Sequence, residues 1–226
     1  MKITEENIGS ADSLSAINEL VSKCERCSLY KTKTKDVTGV GSEKAEVMFI
    51  GEAPGKDEDL QGEPFVGRAG QLLTEMIESL GWARRDVYIA NVLKHRPPAN
   101  RDPLPEEAEM CWPYLKKQIQ LIDPKLIIFL GRHAMNRFYP MLKISECHGN
   151  AFRKDFNGRK QVFLALYHPA VAIYNGNMKK TLQEDFNKIP KILKKIKEED
   201  LNNKNSENPD ASAGAGEKIE QTKLFE

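Results

Sequence analysis

The sequence predicts an α/β fold of three layers, with helices on both faces of a central, mostly parallel four-stranded sheet. Three observations carry that expectation. EVMFIG (46–51), DVYIANV (86–92) and KLIIFLG (125–131) are short apolar runs, the pattern of strands buried on both faces. Helical spacings lie between them, in AGQLLTEMIESLG after the first run and PEEAEMCWPYLKKQIQLI after the second. The resulting βαβαβ order favours a parallel sheet, because parallel neighbours need a crossover that returns the chain to the same end.

Taken in order, a helix from about Ser13 to Ser22 precedes the first strand. GRHAMNRFYP reads as a short helix after the third run. AFRKDFNGRKQVFLALYHP reads as a hairpin turning at Asn157-Gly158, its second arm a further apolar strand. A closing helix is expected from about Met178 to Lys197. EEDLNNKNSENPDASAGAGEK, polar and nearly free of large apolar residues, is expected to be disordered. The chain therefore divides into a domain over 1–199 and a tail over 200–226.

A chain of 226 residues can bury one ordinary core. Its 34 basic and 33 acidic residues leave a net charge near zero, which neither demands nor excludes nucleic acid; local patches must decide. No apolar run approaches the roughly 20 residues of a membrane span. MKITEENIGS lacks the apolar stretch of a signal peptide, so a cytoplasmic location is expected. In that reducing compartment the four cysteines are expected to be free, metal-bound or reactive rather than paired.

Open parallel sheets gather function at the carboxyl ends of their strands. GEAPG, NVLKHRPP, GRH and YHPA would share that rim. GEAPGKDEDLQGEPFVG follows the first strand, and its carboxylates, Glu52 foremost, suit acid-base or cation-stabilising chemistry better than phosphate binding. His168 in YHPA, Glu52 and Asn91 would bring an imidazole, a carboxylate and an amide together. Lys94, Arg96 and Arg101 form a local basic patch suited to a DNA backbone. Ile173, Tyr174 and Asn175 could wedge into stacked bases, although a packed loop is the plainer reading. Cys24 and Cys27, in CERC, admit zinc, iron-sulfur, redox or no role; Cys111 and Cys147 each read as small buried hydrophobes. At the end of the chain Gln221, Leu224 and Phe225 make a polar hook and apolar plug on a tether.

Together CERC, GEAPGKDEDLQGEPFVGRAGQLL, NVLKHRPPANRDPLPEEAEMC, LGRHA and YHPA, in this order over about residues 14 to 197, resemble the family 4 uracil-DNA glycosylases, the iron-sulfur branch of their superfamily. The resemblance implies the glycosylase fold and removal of uracil flipped out of DNA, acting as a monomer in base excision repair. It implies that Phe65 stacks on the base, Asn91 reads its edge, Gly51 and Ala53 contact it through their backbone, and Glu58 supports the pocket. His168 would donate to uracil O2 and Glu52 would orient water or stabilise the cationic sugar. QTKLF would bind a sliding clamp. A [4Fe-4S] cluster is implied on Cys24, Cys27, the position of His95, and Cys111. Here KHRPP departs from the family's KCRPP, which leaves three readings: Cys3His cluster ligation, zinc in the same set, or a fourth ligand absent or borrowed from Cys147. A related glycosylase acting on hypoxanthine, and a non-catalytic iron-sulfur protein that binds DNA, are the competing functions.

Overall fold

The structure is a computed structural model and describes residues 3–206, with side chains described through residue 202. Two short helices, α1 (Glu5–Gly9) and α2 (Leu14–Ser22), open the chain; the Thr4 and Ser13 hydroxyls accept the free amides of their first turns. There follow β1 (Val40–Gly41), β2 (Val47–Gly51), α3 (Lys56–Gln61), α4 (Arg68–Ser79), β3 (Tyr88–Asn91), α5 (Pro105–Ile122), β4 (Leu126–Leu130), α6 (Arg132–Phe138), α7 (Ile144–Cys147), β5 (Ala151–Phe156), β6 (Arg159–Leu166), α8 (Gly176–Phe186) and α9 (Ile189–Ser206).

Among the described residues the strands form one six-stranded sheet, ordered β1-β3-β2-β4-β6-β5. The four central strands are the expected parallel set. β1 and β5 extend it as antiparallel edges. The β5–β6 hairpin turns at Asn157 and Gly158, both at positive φ, the left-handed geometry that suits the twist of paired strands.

Alternation along the strands builds the layers. Phe49, Ile128 and Leu164 face a core closed by Leu73 of α4, Phe186 of α8 and Ile192 of α9. Their neighbours Met48, Ile50, Phe129 and Phe163 face the other side, under Leu115 and Ile119 of α5 and Met135 of α6. A third cluster joins α1 and α2 to α5 through Ile8, Ile17, Val21 and Tyr114, with Cys24, Cys27 and Cys111 among its members. Each fully buried Ile or Val there contributes about 1.5–3 kcal/mol. That attachment seats the N-terminal segment beside the loop that follows β3.

The closing helix expected over 178–197 is instead two helices. Pro190, in the first turn of α9, has no amide to continue α8 and restricts the residue before it. α9 continues past residue 199 to Ser206. Among the described residues, no helix is long and apolar enough to cross a membrane.

Candidate active site

The carboxyl ends of β2, β3, β4 and β6 meet on one rim. Gly51 pairs with Asn91 in register, and the amides of Val92 and Leu93 donate to the carbonyls of Gly51 and Glu52 at 2.9 and 3.0 Å. The loops after β2 and β3 thus leave the sheet stitched together. The Gly131 amide donates to the Leu166 carbonyl at 2.8 Å, joining the ends of β4 and β6 in the same way.

Glu58, at the third position of α3, organises the loops. One carboxylate oxygen accepts from the amides of Val66 and Gly67, each at 3.0 Å, and the other from Gly55 at 3.1 Å. The segment between them holds Phe65 at φ +54, left-handed backbone that a bulky residue adopts only under constraint. Arg84 donates to the Pro64 carbonyl at 2.6 Å, and a side chain at Gly70 would overlap the Phe65 carbonyl, so α4 packs directly under this turn. Phe65 is thereby turned inward, its ring 5.6 Å from that of His168. A Cβ on Gly51 would land 2.6 Å from the Phe65 ring and against Asn91 Oδ1, so glycine lets the ring and the amide close over the end of β2. Asn91 is buried, and its Oδ1 has no hydrogen-bond partner.

His168 ends the sheet at β6. Its Nδ1 accepts from the Ala170 amide at 3.1 Å, which places the ring proton on Nε2. Burial pushes its pKa down to about 4, so the ring is neutral at physiological pH. Glu52 moves the other way: burial, reinforced by the charge of Asp102, pushes it up to about 7. His133, at the start of α6, places Nε2 3.9 Å from Glu52 Oε2 and 3.4 Å from Asp102 Oδ2. Burial and Arg132 hold its pKa below the usual histidine value.

Some residues expected on DNA are placed otherwise. Lys94 is 0% exposed, and its ammonium donates to the Asn91 carbonyl and to Gln118 Oε1, each at 2.7 Å. It cannot reach a phosphate from there. Its role as a DNA contact is therefore corrected to that of a buried brace under the Asn91 turn. Arg101 is engaged by the buried Glu107 through two bonds, of 2.9 and 2.6 Å. The Asn175 side chain caps α8. Arg96 bonds Asn100 at 2.7 Å, and Ile173 is half-buried. Tyr174 is 81% exposed, with Arg68 stacked on its ring at 4.7 Å and bonded to its hydroxyl. Ala53 packs against the cysteine cluster. Gln221, Leu224 and Phe225 lie outside the described residues.

Cys24, Cys27 and Cys111 share one buried cluster and are free thiols; Cys147 packs elsewhere, its Sγ 3.4 Å from Met135 Sδ. Burial pushes the Cys111 thiol up to about 12 and raises Cys27 as well. Buried hydrogen-bond donors surround them. Arg26 Nη1 and the Tyr114 hydroxyl, which faces Cys24, have no partner, and the Lys94 ammonium lies near Cys111. His95 is buried, with Nε2 3.0 Å from Asp36 Oδ1. Among the described residues, the one group of three or more His, Cys, Asp or Glu with ligand atoms mutually within 4.8 Å is Glu52, Asp102 and His133.

Sequence reasoning placed GRH on the rim but gave His133 and Asp102 no part. The available signal was the rim itself, since His133 follows β4 by three residues.

Residues 38–194 match the model of the Uracil DNA glycosylase superfamily. The chain is 48% identical over 189 residues to the type-4 uracil-DNA glycosylase of Archaeoglobus fulgidus, covering 81% of this chain and 95% of that one. It is 46% identical over 188 residues to the type-4 enzyme of Saccharolobus solfataricus, covering 80% and 87%. Against that of Thermotoga maritima it is 40% identical over 183 residues, covering 79% and 94%.

Proposed function

The chain belongs to the uracil DNA glycosylase superfamily, and from that premise we propose that it flips uracil out of DNA and hydrolyses its N-glycosidic bond, opening base excision repair. The buried, unpaired Oδ1 of Asn91 carries this reading. Leaving a buried acceptor unmade costs about 1–3 kcal/mol, and uracil N3–H is a donor that recovers it. The amide nitrogen can then donate to O4. Cytosine, with a lone pair at N3 and an amino group at C4, meets both atoms with the wrong sign.

The base stacks on the Phe65 ring, with the backbone of Gly51 and Ala53 along its edge. As the bond to C1′ lengthens, uracil gathers negative charge on O2 and the sugar becomes cationic. His168, neutral and with its proton on Nε2, donates a hydrogen bond to O2; the Ala170 amide has already oriented it, so none of this alignment is left to the transition state. Glu52, in its ionised form, stabilises the sugar and directs a water to C1′. Outside the pocket, the exposed Val171 and Tyr174 suit insertion beside the flipped base, and Arg96 suits the backbone.

Cys24, Cys27 and Cys111 would hold a [4Fe-4S] cluster, with His95 Nδ1 as fourth ligand, and zinc in the same set is the alternative. When bound, the cluster supplies a structural anchor between the N-terminal segment, α5 and the loop after β3. Residues 1–199 would form the catalytic domain, and the tail would carry the clamp-binding Gln221, Leu224 and Phe225.

Oligonucleotides carrying one uracil, one hypoxanthine or one thymine mismatch, treated with the protein and then alkali, test the reading. Cleavage at uracil is expected; an intact uracil strand rejects it, and cleavage only at hypoxanthine assigns the other base.

A further inference from the structure

A second imidazole reaches the catalytic carboxylate from the loop after β4. His133 Nε2 stands 3.9 Å from Glu52 Oε2, and Arg132 Nε donates to the same nitrogen at 3.0 Å. The proton of the neutral ring is therefore on Nδ1, and the Nε2 lone pair accepts from Arg132 beside the carboxyl group. The charged and titratable groups around the ring come from every neighbouring element. They are Arg132 on its own helix, Asp102 at 3.4 Å from the loop before α5, Glu52 from the end of β2, and His168 from the end of β6. Arg132 also pairs with Asp102 at 3.4 Å, bracketing the imidazole. About a third of the His133 side chain is exposed.

We infer that His133 is a positioning residue for the glycosylase reaction: its ring stands against the Glu52 carboxyl group and aims it at the attacking water. The inference rests on the glycosylase reading above. The water oxygen bonds to C1′ as one of its O–H bonds breaks, and the proton passes to Glu52. The electrons of the broken C1′–N1 bond leave with uracil and collect on O2, against His168. Catalytic contacts are often long before substrate binds, and closing 3.9 Å to a hydrogen bond takes a small side-chain movement.

The test is a double-mutant cycle under single-turnover conditions on a uracil-containing duplex, using wild type, His133→Ala, Glu52→Gln and the double variant, with Kd from fluorescence anisotropy. His133→Ala is expected to slow cleavage on the order of ten- to a hundred-fold, the weight of one hydrogen bond to a charged group, with Kd unchanged. In the Glu52→Gln background the same change should cost less than about two-fold. His133→Gln, which fills the space but lacks the ring, should be as slow as His133→Ala, and it serves in its place should the alanine variant not fold. An equal factor in both backgrounds, or a loss confined to Kd, overturns the inference. A wild-type protein inert on uracil overturns the glycosylase reading instead.

Discussion

Glu52→Gln should stabilise the protein while disabling it, and the stabilisation should appear only as pH rises. Burial, with the neighbouring charge of Asp102, pushes the Glu52 carboxyl up to about 7, whereas in the unfolded chain it returns to the ordinary glutamate value of about 4.3. Because the folded value is the higher one, the acid's contribution to stability is fully present below about pH 4.3. It is lost as pH climbs through about 7, where the folded protein must ionise a shielded group. A gap near 2.7 units at about 1.36 kcal/mol each sets a ceiling of roughly 4 kcal/mol. The side chain is 27% exposed, and solvent screening lowers this to about 1–2 kcal/mol. Glutamine keeps the shape and has no charge to bury. At about 2–4 °C per kcal/mol for a domain of this size, the variant should melt roughly 2–8 °C above wild type near pH 8 and close to wild type near pH 5. Thermal melts followed by circular dichroism at the two pH values measure it. Equal melting at both, or an advantage greatest near pH 5, would refute the account of why Glu52 is poised.

His168→Ala should lower the single-turnover rate by about 10²–10³-fold, as loss of a preorganised donor does, with an unchanged melting temperature; wild-type rates would remove His168 from catalysis. Lys94→Met should destabilise the fold by about 2–4 kcal/mol, since it strips a charged donor from the buried Asn91 carbonyl and Gln118 Oε1. Urea denaturation measures this, and an unshifted midpoint would mean the brace is idle. His95→Ala should lower metal content while His95→Cys preserves it, read by iron and zinc analysis with the visible spectrum; metal unaffected by His95→Ala removes that ligand.

What could be read before folding follows from the range of the forces involved. β2, β3 and β4 are buried on both faces, so continuous apolar runs announced them, and the Asn157-Gly158 turn announced the hairpin. β1 is two residues long and is held only by pairing with Ile89 and Tyr88, a relation its own residues cannot express. Pro190 was a visible break, yet the helical spacing on either side of it read as one segment. Lys94 in a basic loop looks like a phosphate ligand until Gln118, from the helix that follows, is brought against it. His133 and Asp102 are each ordinary alone; their meaning comes from the 3.9 and 3.4 Å approaches that the rim creates. Rim membership was thus legible from strand order, and side-chain direction was not.

The histidine in KHRPP makes physical sense once Asp36 is considered. A ring in place of a thiolate has two nitrogens to satisfy in a buried site, and an unmet N–H there would cost about 1–3 kcal/mol. Asp36 meets that need. Hydrogen bonds from His95 and Lys33 overcome the opposing effect of burial and hold its carboxyl below the usual range, so it is an anion able to accept from Nε2–H. Nδ1, the nitrogen nearer the backbone and one bond beyond where a cysteine sulfur would sit, would then be free to serve as the ligand we propose. A carboxylate behind the imidazole also fixes its orientation, as it does behind histidines that bind metals. Around the three thiols, the unpartnered Arg26 Nη1 and Tyr114 hydroxyl and the nearby Lys94 ammonium are all donors. Three neutral thiols are weak acceptors and would leave those donors poorly answered. Thiolates bound to metal would answer them, so the surroundings and the ligand set call for the same anionic group.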